Sequence, residues 1–260
     1  MINQNLNKKP MDEIKHIKVK RLELASQLRR KDRFRVSIFG SARIKIGDKV
    51  YQQVFDLAEK VGENAFDLVT GGGPGLMEAA NAGHMAGDQK KKADSIGLII
   101  KLPWENKGND YLEISKRFKY FSKRLDTFLS LSDVMVVTKG GIGSMLELYY
   151  MWQHLQVHLC PYKPIILIGK MWEDLIHWMK KEVLPENLVS PEDFDFIYIA
   201  HNNNEAIKMI KKFHQLKLEE KTLRKIICHG SKCVIPNEKK ERKLVITVNK
   251  LAIKKPLIHQ

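Results

Sequence analysis

The stretch from Ser132 to Glu147, SDVMVVTKGGIGSMLE, leaves the chain few ways to fold. An apolar run of strand length ends in a glycine-rich turn, and an apolar-rich segment free of Gly and Pro follows from Ser144 to Val157. That order predicts a buried strand, a tight turn and a helix. Gly140, Gly141 and Gly143 remove side chains where a ligand must approach the backbone, and Ser144 adds a hydroxyl. The uncapped N–H groups of the helix start, at the positive end of its dipole, then face an anion. Glu147 lies three residues after Ser144, on the same helical face and one turn below that anion. A carboxylate there either addresses what is attached to the anion, such as a sugar, or only complements the helix dipole.

A second turn repeats the arrangement earlier in the chain. The strand Phe66 to Thr70 runs into Gly71-Gly72-Gly73-Pro74-Gly75, and a helix from Leu76 to Ala86 carries Glu78, Asn81 and His84. Gly72 and Gly73 are candidate ligand contacts through their backbone, Glu78 and Asn81 through their side chains; His84 reads as a surface or packing residue. The first strand, Arg35 to Phe39, ends in Gly40-Ser41-Ala42-Arg43. In a doubly wound fold the turn after strand one borders the ligand crevice, which makes Ser41 and Arg43 candidates, although Arg43 also fits a plain surface site. Neither glycine turn has the spacing of a dinucleotide fingerprint or a Walker lysine, which argues against NAD and ATP enzymes.

Helical spacing at Val50, Val54, Leu57, Ala58 and Val61 and buried-strand runs at Ser95 to Leu102, Pro164 to Gly169 and Phe194 to Ala200 extend the alternation of strands and helices. Further helices are expected from Met171 to Lys181 and from Asn204 to Gln215, and one carrying Arg117, Phe118, Tyr120, Phe121, Arg124 and Phe128. The whole predicts an α/β, Rossmann-like, doubly wound parallel sheet with helices on both faces. Residues 103–111 read as a recognition loop at a strand end. Arg124, a cation on a helix that otherwise turns an aromatic face inward, is either an active-site guanidinium or a snorkelling surface residue.

Residues 35–215 form the expected domain, with a basic helix before it in residues 1–34 and a basic extension after it in 216–260, including a candidate strand from Lys243 to Val248. The net charge of +15 belongs to the ends: residues 1–34 carry +6 and residues 211–260 carry +10, leaving −1 for the middle. Such tails are solvated arms or bind polyanions, but the aromatic residues lie in the middle and no stacking platform accompanies the lysines, so nucleic-acid contact is not favoured. Three cysteines, Cys160, Cys228 and Cys233, do not make a disulfide framework, and no second ligand pair turns them into a metal site, so no metal is expected. With no run of membrane-span length and a charged N-terminus, a soluble cytoplasmic protein without membrane contact is the expectation.

The two glycine turns together with Arg124 resemble the LOG family, named for the Lonely Guy cytokinin-activating phosphoribohydrolases and often mislabelled lysine decarboxylases. The family carries a triple-glycine turn followed by Gly and Met, and a P-G-G-x-G-T-x-x-E turn; this chain has Gly71 to Glu78 and Lys139 to Glu147, with Arg124 at the spacing of the family arginine. Lys139 stands for the family proline, Ser144 for threonine and Leu125 for the lysine that commonly follows the arginine. The resemblance covers roughly residues 35 to 200. It implies hydrolysis of the N-glycosidic bond of a nucleoside 5′-monophosphate to free base and ribose 5-phosphate. Arg124 and Glu147 would be catalytic; Ser41, Arg43, Gly72, Gly73, Glu78, Asn81, Gly140, Gly141, Gly143 and Ser144 would hold the substrate. No cofactor is expected, since nothing singles out the Schiff-base lysine of a pyridoxal-phosphate enzyme. A homodimer or higher homo-oligomer is the expected assembly, and the rival reading is a non-catalytic nucleotide or cofactor binder of the same fold.

Overall fold

The computed structural model describes residues 32–103 and 107–228, with side chains as far as residue 219. The expected N-terminal helix and the strand at 243–248 lie outside these residues. Among the described residues seven strands form one sheet: β1 (Arg35–Phe39), β2 (Asp67–Thr70), β3 (Ser95–Ile100), β4 (Ile114–Phe118), β5 (Val134–Val137), β6 (Ile165–Ile168) and β7 (Ile197–Ala200). Their order is β4-β3-β2-β1-β5-β6-β7, and every pairing is parallel. The inner strands are buried along their whole length, because helices cover both faces of a parallel sheet. The α/β doubly wound reading is correct.

One face is covered by α1 (Lys49–Glu63), α2 (Leu76–Gly87) and α6 (Asn203–Cys228), which pack Val54, Leu57, Ala79 and Ile210 against Val36, Leu68, Val134 and Ile166. The other face carries α3 (Phe121–Leu131), α4 (Ile142–Gln156) and α5 (Lys170–Trp178), which pack Phe128, Leu148 and Trp172 against Phe39, Met135 and Leu167. Between β1 and β5 the winding reverses. Val36 stands opposite Val134 and Phe39 opposite Val137, so the turns after β1 and β5 leave side by side toward opposite faces. A crevice opens at the carboxyl ends of the strands at such a point.

Three sequence expectations change. Arg117 and Phe118 lie on the edge strand β4, and the helix bearing Arg124 starts only at Phe121. Ile114 and Phe118 are both buried in β4, and a spacing of four fits one side of a strand as well as one face of a helix. Phe194 and Phe196 belong to a 3-10 turn, Pro191–Phe196, that precedes β7. The last helix continues to Cys228, well past Gln215, since neither Gly nor Pro interrupts it before then.

Candidate active site

Three turns meet at the reversal point, and their backbones tie them together. Ser41 donates its N–H to the Lys139 carbonyl at 3.0 Å, while its own carbonyl accepts from the Leu76 N–H at 2.9 Å. The β1 turn is thereby sewn to both glycine turns. Gly75 holds φ +71°, and a Cβ there would stand 2.5 Å from the Ser41 carbonyl oxygen, so the seam requires glycine. The Ser41 hydroxyl accepts from the Arg43 N–H at 3.1 Å, and the Arg43 side chain is exposed.

The two glycine turns differ in what they leave open. In the first, Gly72 and Gly73 are buried and bonded: the Gly72 N–H donates to Thr70 Oγ1 at 3.0 Å, its carbonyl accepts from the Asn109 N–H at 2.8 Å, and the Gly73 carbonyl accepts from Asn109 Nδ2 at 3.0 Å. Asn81 is wholly enclosed. Its Oδ1 accepts from Thr70 Oγ1 at 2.8 Å and from Asn109 Nδ2 at 3.0 Å, and its Nδ2 donates to Ser95 Oγ at 2.9 Å. Asn81 therefore braces the first turn and reaches the crevice by way of Asn109. In the second turn Gly141 and Gly143 are exposed, and a Cβ on either would meet nothing within 4 Å. Gly141 begins α4 without a side-chain cap, which leaves the first N–H groups of that helix for an outside acceptor. Ser144 is buried with its hydroxyl packed over Gly140.

Arg124 and Glu147 meet beneath these turns. Both side chains are almost enclosed, at 7% and 11% exposure, and Arg124 Nη1 donates to Glu147 Oε1 at 3.1 Å. The guanidinium is fixed from three other directions. Nε donates to the Leu98 carbonyl at 2.6 Å, the charge stands 5.2 Å from the centre of the Phe128 ring, and Nη2 lies over Gly71. A Cβ on Gly71 would come within 2.3 Å of Nη2. Burial pushes the Glu147 carboxyl up to about 7, even though Arg124 pulls it down through charge and hydrogen bond. The surface reading of Arg124 and the mere dipole reading of Glu147 both fail on this geometry.

Glu78, half-buried in the first turn of α2, is also raised, by burial and then by Asp110. Beside it lies Tyr51, 3% exposed, whose phenol is raised by burial and by Glu78 and Tyr111. Its hydroxyl has no hydrogen-bond partner among the described residues. Sequence reasoning missed Tyr51, Gly71 and Asn109 as individuals. Tyr51 sits three residues before Val54 and so belonged to the inner face of α1 all along. His84 is buried with Nε2 2.9 Å from the Phe66 carbonyl oxygen, a packing residue. Among the described residues no His, Cys, Asp and Glu cluster is arranged for a metal ion, and no helix is long and apolar enough to cross a membrane.

The fold and site together define an α/β protein with a doubly wound sheet, an uncapped glycine turn at its reversal point and a buried Arg–Glu pair beneath that turn. The family model described as possible lysine decarboxylase matches residues 77–210, just over half of the chain. The protein belongs to this family, the LOG family of the sequence resemblance. Its fold is similar to that of the molybdenum cofactor carrier protein from Chlamydomonas reinhardtii, with 18% identity over 70% of this chain and 99% of that one and a TM-score of 0.51. It is equally similar to the structural-genomics target TM1055, with 21% identity over 69% and 99% of the two chains and a TM-score of 0.51. No curated protein gives a significant match.

Proposed function

We propose that this protein hydrolyses the N-glycosidic bond of nucleoside 5′-monophosphates. The observation that carries the reading is the buried Arg124–Glu147 pair, with a carboxyl raised to about 7 directly below an open anion turn. In the reaction the C1′–N bond breaks, positive charge builds on the ribose ring, and water adds to C1′. The base leaves with a proton and ribose 5-phosphate remains. The phosphate docks on the N–H groups at the start of α4, between Gly141 and Ser144. Glu147, held by Arg124, faces the oxocarbenium-like centre and orients the water. Arg124 acts chiefly by fixing that carboxylate, since three of its contacts are already to the protein. Glu78 supplies a carboxyl group for the ribose or base end, with Tyr51 packed behind it.

The rival is a non-catalytic binder, a reading favoured by the likeness in fold to a cofactor carrier. A single assay separates them: purified protein with a panel of nucleoside monophosphates, followed for free base by chromatography. Release of base from at least one monophosphate, abolished by Glu147→Gln, supports hydrolysis. Saturable nucleotide binding with no base released from any member of the panel overturns it in favour of the binder.

A further inference from the structure

A cavity of about 340 Å³ lies at the carboxyl ends of β5 and β6, on the sheet face away from Arg124 and Glu147. Three helices begin around it: α1 contributes Val50, α5 Lys170 and Met171, and α6 Asn203. Its walls are apolar, with Val54 and Leu57 of α1 facing Ile168 of β6 and Met171 of α5. The polar groups are few and unevenly satisfied. Thr138 spends its hydroxyl on the Phe39 carbonyl, and Asn203 Nδ2 donates to the Gln53 carbonyl at 2.7 Å. Asn203 Oδ1, by contrast, is shut away from solvent without a partner among the described residues. Asn203 thus fixes the start of α6 against α1 and leaves the cavity itself mainly apolar.

The rim is positive. Lys139, expected beside the phosphate turn, lines this cavity, as does Lys170, whose ammonium also pairs with Asp174. Two of the three helix starts are closed by their own side chains, α1 by Asp48 on the Val50 N–H at 2.7 Å and α6 by Asn202 on the Glu205 N–H at 3.0 Å. The third, α5, begins at Gly169 with no side-chain cap, so its first N–H groups add to the positive rim.

We infer that this cavity is a second small-molecule site, separate from the Arg124–Glu147 centre. Its ligand is a heterocycle with an anionic head: the flat body enters between α1 and β6, and a phosphate or carboxylate meets Lys139 and the start of α5. The volume falls in the range of sites for ligands of that size.

The test uses the full chain carrying Glu147→Gln, so that nucleotide persists, with labelled Met and Ile methyl groups observed by NMR. The probes are AMP, nicotinate, adenine and inorganic phosphate. AMP or nicotinate should shift the Met171 and Ile168 methyls, the stronger of the two naming the head group, while adenine and phosphate alone bind at least tenfold more weakly. Lys170→Glu, at an exposed position outside the core, should weaken those shifts at least tenfold, as should Met171→Trp, which fills the cavity. In the chain with Glu147 intact, both changes should leave base release unaltered. No shift at these methyls with any probe up to millimolar concentration, shifts indifferent to Lys170→Glu, or equal shifts from phosphate alone overturn the inference. Loss of the hydrolase reading would show as absent base release with the Met171 shifts intact, so the two proposals fail separately.

Discussion

Replacing Glu147 by Gln tests the site through stability as well as through activity. The carboxyl titrates near 4.5 in an unfolded chain and at about 7 in its buried place beside Arg124. A folded-state value raised above the unfolded one means that the folded state holds the proton more tightly between those limits. Stability from this group is therefore full below pH 4.5 and falls as pH rises through 7, by about 3 kcal/mol in all. That is an upper value, because 11% of the side chain still reaches solvent. Gln keeps the shape and the acceptor for Arg124 Nη1 but does not titrate. The variant should thus match the wild type near pH 4 and exceed it by up to about 3 kcal/mol at pH 8, with the gap opening above about pH 4.5 and nearly complete by pH 7. Urea denaturation of both proteins from pH 4 to 8 measures the difference, and titrations common to both cancel. Free-base release should fall about 100-fold or more in the same variant, since the charge that meets the oxocarbenium ion is gone. Stability curves that stay parallel across the whole range would refute the reasoning, because Glu147 would then have an ordinary carboxyl.

Gly71→Ala should lower turnover at least tenfold with the fold intact by circular dichroism, because the added methyl displaces the guanidinium that stands 2.3 Å from its position; unchanged kinetics would remove Gly71 from the site. AMP should exceed adenosine by about 100-fold or more in kcat/KM, the worth of two charge-assisted hydrogen bonds at the start of α4, and equal rates for the two would contradict docking of the phosphate there. The turnover rate kcat should rise with pH through about 7 as Glu147 ionises, whereas a fall over that interval would assign it the role of acid. Ile142, Leu146 and Tyr149 form an exposed apolar stripe along α4, the surface expected to pair with a second copy. Ile142→Asp should then reduce the assembled mass in analytical ultracentrifugation, and a wild type that sediments as a monomer at high concentration would dispose of the idea.

The central strand and both glycine turns were legible because each rests on local chemistry, and Arg124 and Glu147 were each singled out, but their contact with one another joins α3 to α4 and was not foreseen. An apolar run ending in glycines has one economical fold, and a carboxylate one helical turn below an anion site has one neighbourhood. What stayed hidden depends on distant contacts. The edge strand β4 could not be told from a helix, because Ile114 and Phe118 satisfy both periods. Asn81 looked like a ligand contact from its place on α2, yet Thr70, Ser95 and Asn109 share its side chain, and those three residues come from β2, β3 and the loop before β4. Lys139 adjoins the second glycine turn in sequence and in the fold also lines a cavity bounded by α1 and α5, which no local pattern announces.

The triple glycine makes the same point at the scale of single atoms. Read along the sequence, Gly72 and Gly73 are the candidate ligand contacts of a tight turn, and Gly71 is only its first residue. In the fold each has its own reason. Gly72 adopts φ +71°, and a Cβ on it would stand 2.9 Å from the Ile99 side chain, so its freedom serves the turn and the packing of β3. Gly73 offers a carbonyl to Asn109. Gly71 leaves the space that Arg124 and Met77 occupy, and Arg124 holds in place the Glu147 carboxyl that burial pushes up to about 7. In the proposed reaction the first glycine turn would act through the arginine and the second through the ligand, so a substitution at Gly71 and one at Gly143 should fail differently. Gly71→Ala should lower kcat with KM little changed, while Gly143→Val, which narrows the open side of the anion turn, should raise KM for AMP and leave adenosine unaffected.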